Sequence, residues 1–299
     1  MLPDRDELAE VLLDLGVPHQ DIDEPVRLSR QVVGDPDALG FLEKSVADLV
    51  DGMGEIRGMV DIPQLPGASE ALARFFPLYV CVAALPYVRA HHRERGIPEE
   101  ISRRTLADIG RGVAWHRRWH GTGGLLSPRW LSLHLHGELY QLGRLQFQRD
   151  RVGHRTSDSL AAAGLAPGPG DPALGLHVPD FMGPLAPDAC DRSLARARDF
   201  FARHYPEEPY TVATCDSWLL DPQLKRYLPE HSNIVRFQER FTISHVPEEP
   251  EDTTPVRFVF GTTDVPLDRL PRRTVLERAV VDHLRDGGHW YVGTGWFVL

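Results

Sequence analysis

The chain has 299 residues and a formal net charge of −10, with 33 Lys and Arg against 43 Asp and Glu. Its hydrophobic content of 42% and charged content of 25% are those of a globular protein, and its length predicts two domains. These values exclude a disordered tail, a coiled coil and a small disulfide-stapled protein. The acidic balance also argues against binding to nucleic acid, because Lys and Arg that neutralise phosphates supply most of that affinity.

Cysteine content and apolar runs indicate the compartment. The 3 cysteines are too few and too scattered for a disulfide framework, which favours a reducing interior. The N-terminal stretch MLPDRDELAEVLLDLG carries acidic residues where a signal peptide would carry a basic region followed by an apolar run. The most apolar stretch, 75–88, is broken by two prolines and is shorter than the ~20 residues that span a bilayer. We therefore expect a cytoplasmic protein without a membrane partner.

The first part of the chain is predicted to be all helical. Apolar residues at i, i+3, i+4 and i+7 predict amphipathic helices near 8–15 and 39–53. Further helices are expected over 69–94, where Pro77 should kink or divide the helix, and over 101–120. No strand pattern occurs in this part of the sequence.

The pattern changes in the second half, where short alternating runs predict strands between helices. The expected elements are a helix from Ser127, a strand around Leu145 and Phe147, a loop over 161–173, a strand over 174–178, a helix from Pro187, a strand over 210–215, a helix over 218–227, strands over 234–243 and 256–260, a helix over 274–285 and a strand over 289–298. This alternation predicts one mixed sheet with helices. The fold class is therefore α+β, with domains at 1–126 and 127–299.

Reactive side chains follow two of the predicted strands. Cys215 and Asp216 end one strand just before a predicted helix, and His177 ends another. If the two strands are parallel neighbours, their ends lie at the same sheet edge, where ligand groups collect. His177 would then serve as a general base, and Cys215 as a nucleophile or proton donor. The alternative is a buried cysteine and a structural histidine.

A candidate phosphate site lies near the C-terminus, where a predicted strand leads through a loop into a helix. It contains Gly261, Thr262, Arg272, Arg273 and Thr274. Free amides at the helix start, the positive end of the helix dipole and two guanidinium groups would together bind an anion. The alternative is that the arginines pair with nearby carboxylates.

Two other patterns have competing explanations. The R-x-x-G-x-G pattern at 118–123 matches a pyrophosphate loop, but a helix precedes it, which favours a helix C-cap and turn. His134, His136 and Glu138 would ligate a metal from a strand, whereas the leucines around them fit a partly buried helix. We expect no metal, and metal-dependent hydrolysis is a third hypothesis.

Longer segments resemble a family of bacterial acyltransferase-like proteins with a helical N-acyltransferase N-terminal domain and a GNAT-like C-terminal domain. The resemblance rests on ISRRTLADIGRGVAWHRRWHGTGGL, LYQLGRLQFQR, LGLHVPDFMGPLAPDACDRSLARARDFF, CDSWLLDPQLKRYLPEHSNIVRFQERF and VFGTTDVPLDRLPRRTVLERAVVDHLRDGGHW, which cover most of residues 101–290. In CDSWLL, Asp216 stands where the family pattern CHSWLL has histidine.

The resemblance implies a helical domain packed on a GNAT-like mixed sheet. It also implies acetyl-CoA or another acyl-CoA as co-substrate and an amine of a small molecule or peptide as acceptor. The pyrophosphate loop of this fold enters a helix after a central strand, an order found here at 261–274, although the usual Q/R-x-x-G-x-G/A pattern is absent. His177 or a nearby carboxylate would deprotonate the amine, and Cys215 would protonate the departing thiolate.

A non-enzymatic function is the competing hypothesis. The missing glycine pattern would suit a ligand-binding or scaffold protein that keeps the fold while its phosphate loop has degenerated. The sequence leaves a homodimer open.

Overall fold

The computed structural model describes residues 2–299. The chain divides into two compact units, Met1–Gln141 and Leu142–Leu299. The sequence analysis placed this boundary between 126 and 127. The helix Pro128–Leu135 accounts for the difference, since it contacts the long helix Glu70–Glu94 of the first unit.

The first unit is helical, as predicted. Its helices are α1 (Arg5–Asp14), α2 (Asp23–Val33), α3 (Pro36–Val50), α4 (Glu70–Glu94), α5 (Glu99–Leu106), α6 (Asp108–His120) and α7 (Pro128–Leu135). Asp35 caps α3 immediately before Pro36, which is preorganised for the first helical position. Gly121 ends α6 with a φ of 69°, so the 118–123 pattern is a helix C-cap.

Helix α4 carries much of the core of this unit. It is not divided at Pro77 or Pro86. The side chains of Phe75 and Tyr79 are fully buried, and the Tyr79 hydroxyl donates a hydrogen bond to the Pro25 carbonyl at 2.6 Å. Among residues 2–299, α4 is the helix long and apolar enough to cross a membrane, but 72% of its apolar window is buried inside the protein. Core packing therefore accounts for its composition.

Gly110 allows α6 to approach the residues that follow α1. A Cβ atom at this position would lie 2.4 Å from the Leu15 carbonyl oxygen and 2.4 Å from the Gly16 carbonyl carbon. We expect Gly110→Ala to displace backbone and to lower the free energy of unfolding by about 2–3 kcal/mol. Gly40→Ala in α3 meets no atom within 4 Å, and it should raise stability by up to about 1 kcal/mol. Urea denaturation measures the free energy of unfolding of both variants. Equal changes in the two variants would contradict the close approach of α6 to residues 15–16.

A mixed sheet organises the second unit. β1 (Leu139–Gln141) is the last element before the boundary, and the strands of the second unit are β2 (Gln146–Arg151), β3 (Pro172–His177), β4 (Val212–Ser217), β5 (Thr242–His245) and β6 (Gly293–Val298). The strands of the second unit lie in the order β2-β3-β4-β6-β5. β3 and β4 are parallel, whereas β2 with β3, β4 with β6 and β5 with β6 are antiparallel. This is the predicted α+β fold with a mixed sheet.

Several predicted elements of this unit have a different form. Its helices are α8 (His154–Ala162), α9 (Pro187–His204), α10 (Asn233–Gln238), α11 (Thr253–Phe260) and α12 (Val275–Arg285). Two 3-10 turns, Trp218–Leu220 and Pro222–Arg226, replace the helix predicted over 218–227. The strand predictions are wrong over 256–260, which is α11, and over the first part of 234–243, which is α10. Val256, Val259 and Phe260 follow helical spacing and pack against one apolar cluster.

Candidate functional site

Polar side chains meet at the carboxyl ends of β3 and β4. His177 is the last residue of β3, and Asp216 lies near the end of β4. Because Gly175 pairs with Thr214, His177 and Asp216 stand at the same level on adjacent strands, just beyond the paired residues. The two strands are parallel neighbours, which is the condition that the sequence left open.

The imidazole of His177 is held from β2. Its Nε2 atom lies 2.9 Å from Oε1 of Gln148. This contact orients the ring. His177 is half-buried, which leaves part of the ring accessible. An oriented and accessible imidazole suits a general base.

Asp216 adds a carboxylate to the same polar face. Its side chain is exposed and accepts a hydrogen bond from the hydroxyl of Thr294. Thr294 lies directly opposite on β6. The pair places a negative charge at the level of His177, where a cationic group would be attracted.

Cys215 lies on the opposite face of the sheet from Asp216, as strand alternation requires. It is only 4% exposed. Burial raises the pKa of its thiol far above the ordinary value, and the neighbouring Asp216 carboxylate raises this pKa further. The thiolate is therefore disfavoured and the sulfur is enclosed. The catalytic role predicted for Cys215 is corrected to that of a buried core residue.

The candidate phosphate site near the C-terminus lacks the expected order of elements. Gly261 ends α11 with a φ of 70°, so a helix rather than a strand precedes this loop. The Thr262 hydroxyl oxygen accepts a hydrogen bond from the Asp264 amide at 3.2 Å, within its own turn. The loop therefore follows the end of a helix. It does not have the order of strand, loop and helix that is expected of a pyrophosphate loop in this fold.

The start of α12 is satisfied by its own side chains. Thr274 and Glu277 form a capping box, in which Glu277 accepts from the Thr274 amide at 2.9 Å. The Arg273 amide also donates to Glu277. Arg272 pairs with Asp282 at 2.6 Å. The alternative in which the arginines pair with nearby carboxylates thus describes Arg272. The amides of Arg273, Thr274 and Glu277 already have partners.

The order strand, loop and helix occurs after β3. Residues 178–186 connect His177 to α9, an 18-residue helix that starts at Pro187. Within the described residues, no side chain caps this helix start, where Ala186 holds the N-cap position. A helix of this length presents the positive end of its dipole at the loop. These features are those expected of an anion-binding loop.

Arg144 holds the loop 178–186 in place. Its Nη1 atom donates to the Pro179 carbonyl at 3.0 Å, and its Nε atom donates to the Pro184 carbonyl at 3.2 Å. Phe181 in this loop has a φ of 59°, a conformation that favours glycine, and its side chain is 55% exposed. Strain of this kind concentrates at ligand-binding segments, which supports a binding role for the loop.

A cavity of about 500 Å³ opens beside the first residue of α9. It is lined by Pro187, Glu230, His231, Arg236, Glu239 and Arg240. Arg240 reaches the helix directly, because it pairs with Asp191 at 2.6 Å and donates to the Pro187 carbonyl at 3.3 Å. The cavity thus lies beside an uncapped helix start and is lined by two arginines, whose charge attracts phosphate, as well as by two glutamates.

Gln148 and the loop 178–186 belong to the candidate site but are not predicted from the sequence. A signal for Gln148 was present in the run LQFQRD, where Gln146, Gln148 and Asp150 alternate with other residues. Register with β3 places these polar residues on the same face as His177. Polar residues at alternate positions of an internal strand favour a functional face, but the pairing partner has to be known to assign it.

The proposed metal ligands lie in the first unit and bind protein groups. His134 is 3.1 Å from the Asp108 carboxylate, and His136 contacts a backbone carbonyl. Glu138 accepts hydrogen bonds from the backbone amides of 57–58. Among residues 2–299, no group of three or more His, Cys, Asp or Glu side chains is arranged to hold a metal ion. These contacts describe a structural role in packing.

Comparison with known proteins identifies the family. The GNAT-like C-terminal domain matches residues 139–297, and the N-acyltransferase N-terminal domain matches residues 6–137. The chain belongs to this acyltransferase family. No curated protein matches it. The family predicted from the sequence is confirmed.

Solved structures of acyltransferases match over the whole chain. An acyltransferase in complex with decanoyl-CoA and teicoplanin is 42% identical, with a TM-score of 0.88 and coverage of 100% of this chain and 90% of that chain. A mutant acyltransferase in complex with octanoyl-CoA is 42% identical, with a TM-score of 0.89 and the same coverage. An acyltransferase in complex with CoA and 10C-Teicoplanin is 41% identical, with a TM-score of 0.88, over 100% of this chain and 90% of that chain. The chain is an enzyme of the acyltransferase class.

Proposed function

We propose that this acyltransferase moves a medium-length acyl group from acyl-CoA to an amine of a glycopeptide. The observation that carries the proposal is the 42% identity, across the full chain, to an acyltransferase in complex with decanoyl-CoA and teicoplanin. Octanoyl-CoA in a second similar structure supports a donor of the same length class. An amine acceptor follows from the usual reaction of GNAT-like enzymes.

His177 supplies the base in this reaction. An amine attacks a thioester only in its neutral form, so the proton must leave the nitrogen, and the imidazole of His177 accepts it. The new C–N bond forms at the thioester carbonyl, and the C–S bond breaks to release CoA as a thiolate. The thiolate takes up the second proton, which the nitrogen gives up as the amide forms. Asp216, at the level of His177, attracts the ammonium form of the acceptor.

The CoA phosphates bind at the start of α9 in this proposal. The uncapped helix start and the guanidinium groups of Arg236 and Arg240 supply positive charge there. The loop 178–186 begins directly after His177, so a donor bound along it would place its thioester near the base. The segment 261–274, whose missing glycine pattern favoured a non-catalytic scaffold, does not follow a strand.

An acyl-transfer assay tests the proposal. Decanoyl-CoA, octanoyl-CoA and acetyl-CoA are supplied as donors, and a glycopeptide with a free sugar amine is the acceptor. We expect acceptor-dependent release of CoA thiol and an amide product by mass spectrometry, with higher kcat/KM for the two longer donors. Faster transfer from acetyl-CoA would contradict the donor class, and no CoA release with any pair would contradict the proposed reaction.

A further inference from the structure

We propose that His245 binds the body of the acceptor beyond Asp216, an inference that rests on the proposed function. His245 is the last residue of β5. Strands β4 and β5 both run antiparallel to β6, so β5 has the same direction as β4 and as its parallel neighbour β3. His177, Asp216 and His245 therefore lie at or near the carboxyl ends of three strands, at the sheet edge where ligand groups collect.

A β-bulge places His245 on the same face of the sheet as Asp216. Strict alternation would put His245 on the face of Ile243, which pairs with Gly295. The register shifts after Ile243, however, and His245 pairs with Thr294. Directly paired residues of antiparallel strands share a face, and Thr294 pairs in turn with Asp216. The bulge thus re-aims the imidazole, so that a carboxylate, a hydroxyl and an imidazole form one row across β4, β6 and β5.

The row lies on an accessible part of this face. Asp216 is exposed, and Thr294 and His245 are half-buried. Two residues along β6, Trp296 is buried and donates from Nε1 to the Ser159 hydroxyl of α8 at 2.9 Å, so α8 covers the face at that level. Within the part of the chain that the structure describes, no hydrogen bond or ion pair engages the imidazole of His245. The ring is therefore available to a ligand.

The row suits an acceptor that is larger than a single amino sugar. Adjacent strands lie about 4.8 Å apart, so Asp216 and His245, two strands apart, are separated by about 10 Å. Thr294 donates its hydrogen to Asp216, and its oxygen can still accept one from a sugar hydroxyl. A sugar whose ammonium group meets Asp216 would lie over Thr294, and the next group of the acceptor would reach His245. Glu248 and Glu249, exposed in the segment after β5, add negative charge that favours a cationic acceptor.

Acceptor kinetics with decanoyl-CoA as donor test this role. His245→Ala should raise the KM for a glycopeptide with a free sugar amine by about 3- to 10-fold, as expected for the loss of one hydrogen bond. The kcat and the Kd for decanoyl-CoA should stay at the wild-type values, because the proposed base is His177. The KM for glucosamine, a single amino sugar that does not extend to His245, should be the same in both enzymes.

Three further variants make the readout specific. His245→Gln keeps a hydrogen-bond donor and an acceptor and should restore most of the affinity for the glycopeptide. His245→Phe keeps a flat ring without hydrogen bonds and should raise the KM as His245→Ala does. His19→Ala removes an exposed imidazole of the first unit and should leave every constant unchanged.

Two results would overturn the acceptor role while leaving the proposed function intact. The first is a wild-type KM for the glycopeptide in His245→Ala or, if that variant does not fold, in His245→Phe. The second is an equal rise in KM for glucosamine and for the glycopeptide, which would place the contact at the amine rather than beyond the sugar. A wild-type enzyme that is inactive with every donor and glycopeptide would instead remove the proposed function, and this role with it.

Discussion

His177→Ala should lower the kcat of acyl transfer by about 10²- to 10⁴-fold, the usual contribution of a general base. The KM for acyl-CoA should stay close to the wild-type value, because the proposed phosphate site is at the start of α9. Steady-state release of CoA thiol measures both parameters. His154→Ala removes an exposed imidazole at the start of α8 and serves as the matched control.

Chemical rescue sharpens this experiment. Imidazole added to His177→Ala should restore part of the lost rate, since a small base can occupy the space of the missing ring. A His177→Ala enzyme that works at nearly the wild-type rate would show that another group takes the proton. Slow catalysis without rescue, together with a lowered melting temperature, would show that the ring matters for folding instead.

Arg236→Ala combined with Arg240→Ala should raise the Kd for decanoyl-CoA by about 10- to 100-fold. The expectation follows from losing two charged hydrogen-bond donors to phosphate, each worth about 1.5–3 kcal/mol when the contact is made. The loss of binding free energy should be smaller than the sum of these two values, because Arg240 already pairs with Asp191. Isothermal titration calorimetry with decanoyl-CoA gives the constants directly.

The matched control is Arg272→Ala combined with Arg273→Ala at the start of α12. This variant removes the same number of guanidinium groups from a helix start that already has a capping box. Its Kd for decanoyl-CoA should equal that of the wild type. If the α12 variant instead bound decanoyl-CoA weakly and the variant of Arg236 and Arg240 bound it normally, the phosphate site would lie in the segment after Gly261.

Much of the candidate site could be predicted because its signals are local. His177 and Asp216 end two apolar runs, and a residue at the end of a strand needs no long-range information to be noticed. Gln148 could not be assigned in this way. Its place beside His177 depends on the register between β2 and β3, which pairs it with Gly175, and the sequence does not carry that register explicitly.

The errors have equally specific causes. Cys215 and Asp216 are neighbours in sequence, yet strand alternation sends one to the core and the other to solvent, and the buried face was not known beforehand. The run 256–260 is too short for periodicity to separate a strand from a helix turn, and it forms α11. Because the pyrophosphate loop is expected after a strand, assigning 256–260 as a strand led to the prediction of a phosphate site at 261–274.

Amide hydrogen exchange with and without decanoyl-CoA tests the central claim most directly, because it locates the donor on the intact chain. The account predicts slower exchange in the loop 178–186 and the first turn of α9 when decanoyl-CoA is bound. The segment 261–274 should exchange at the same rate in both states. Protection confined to 261–274, with none after β3, would contradict the account.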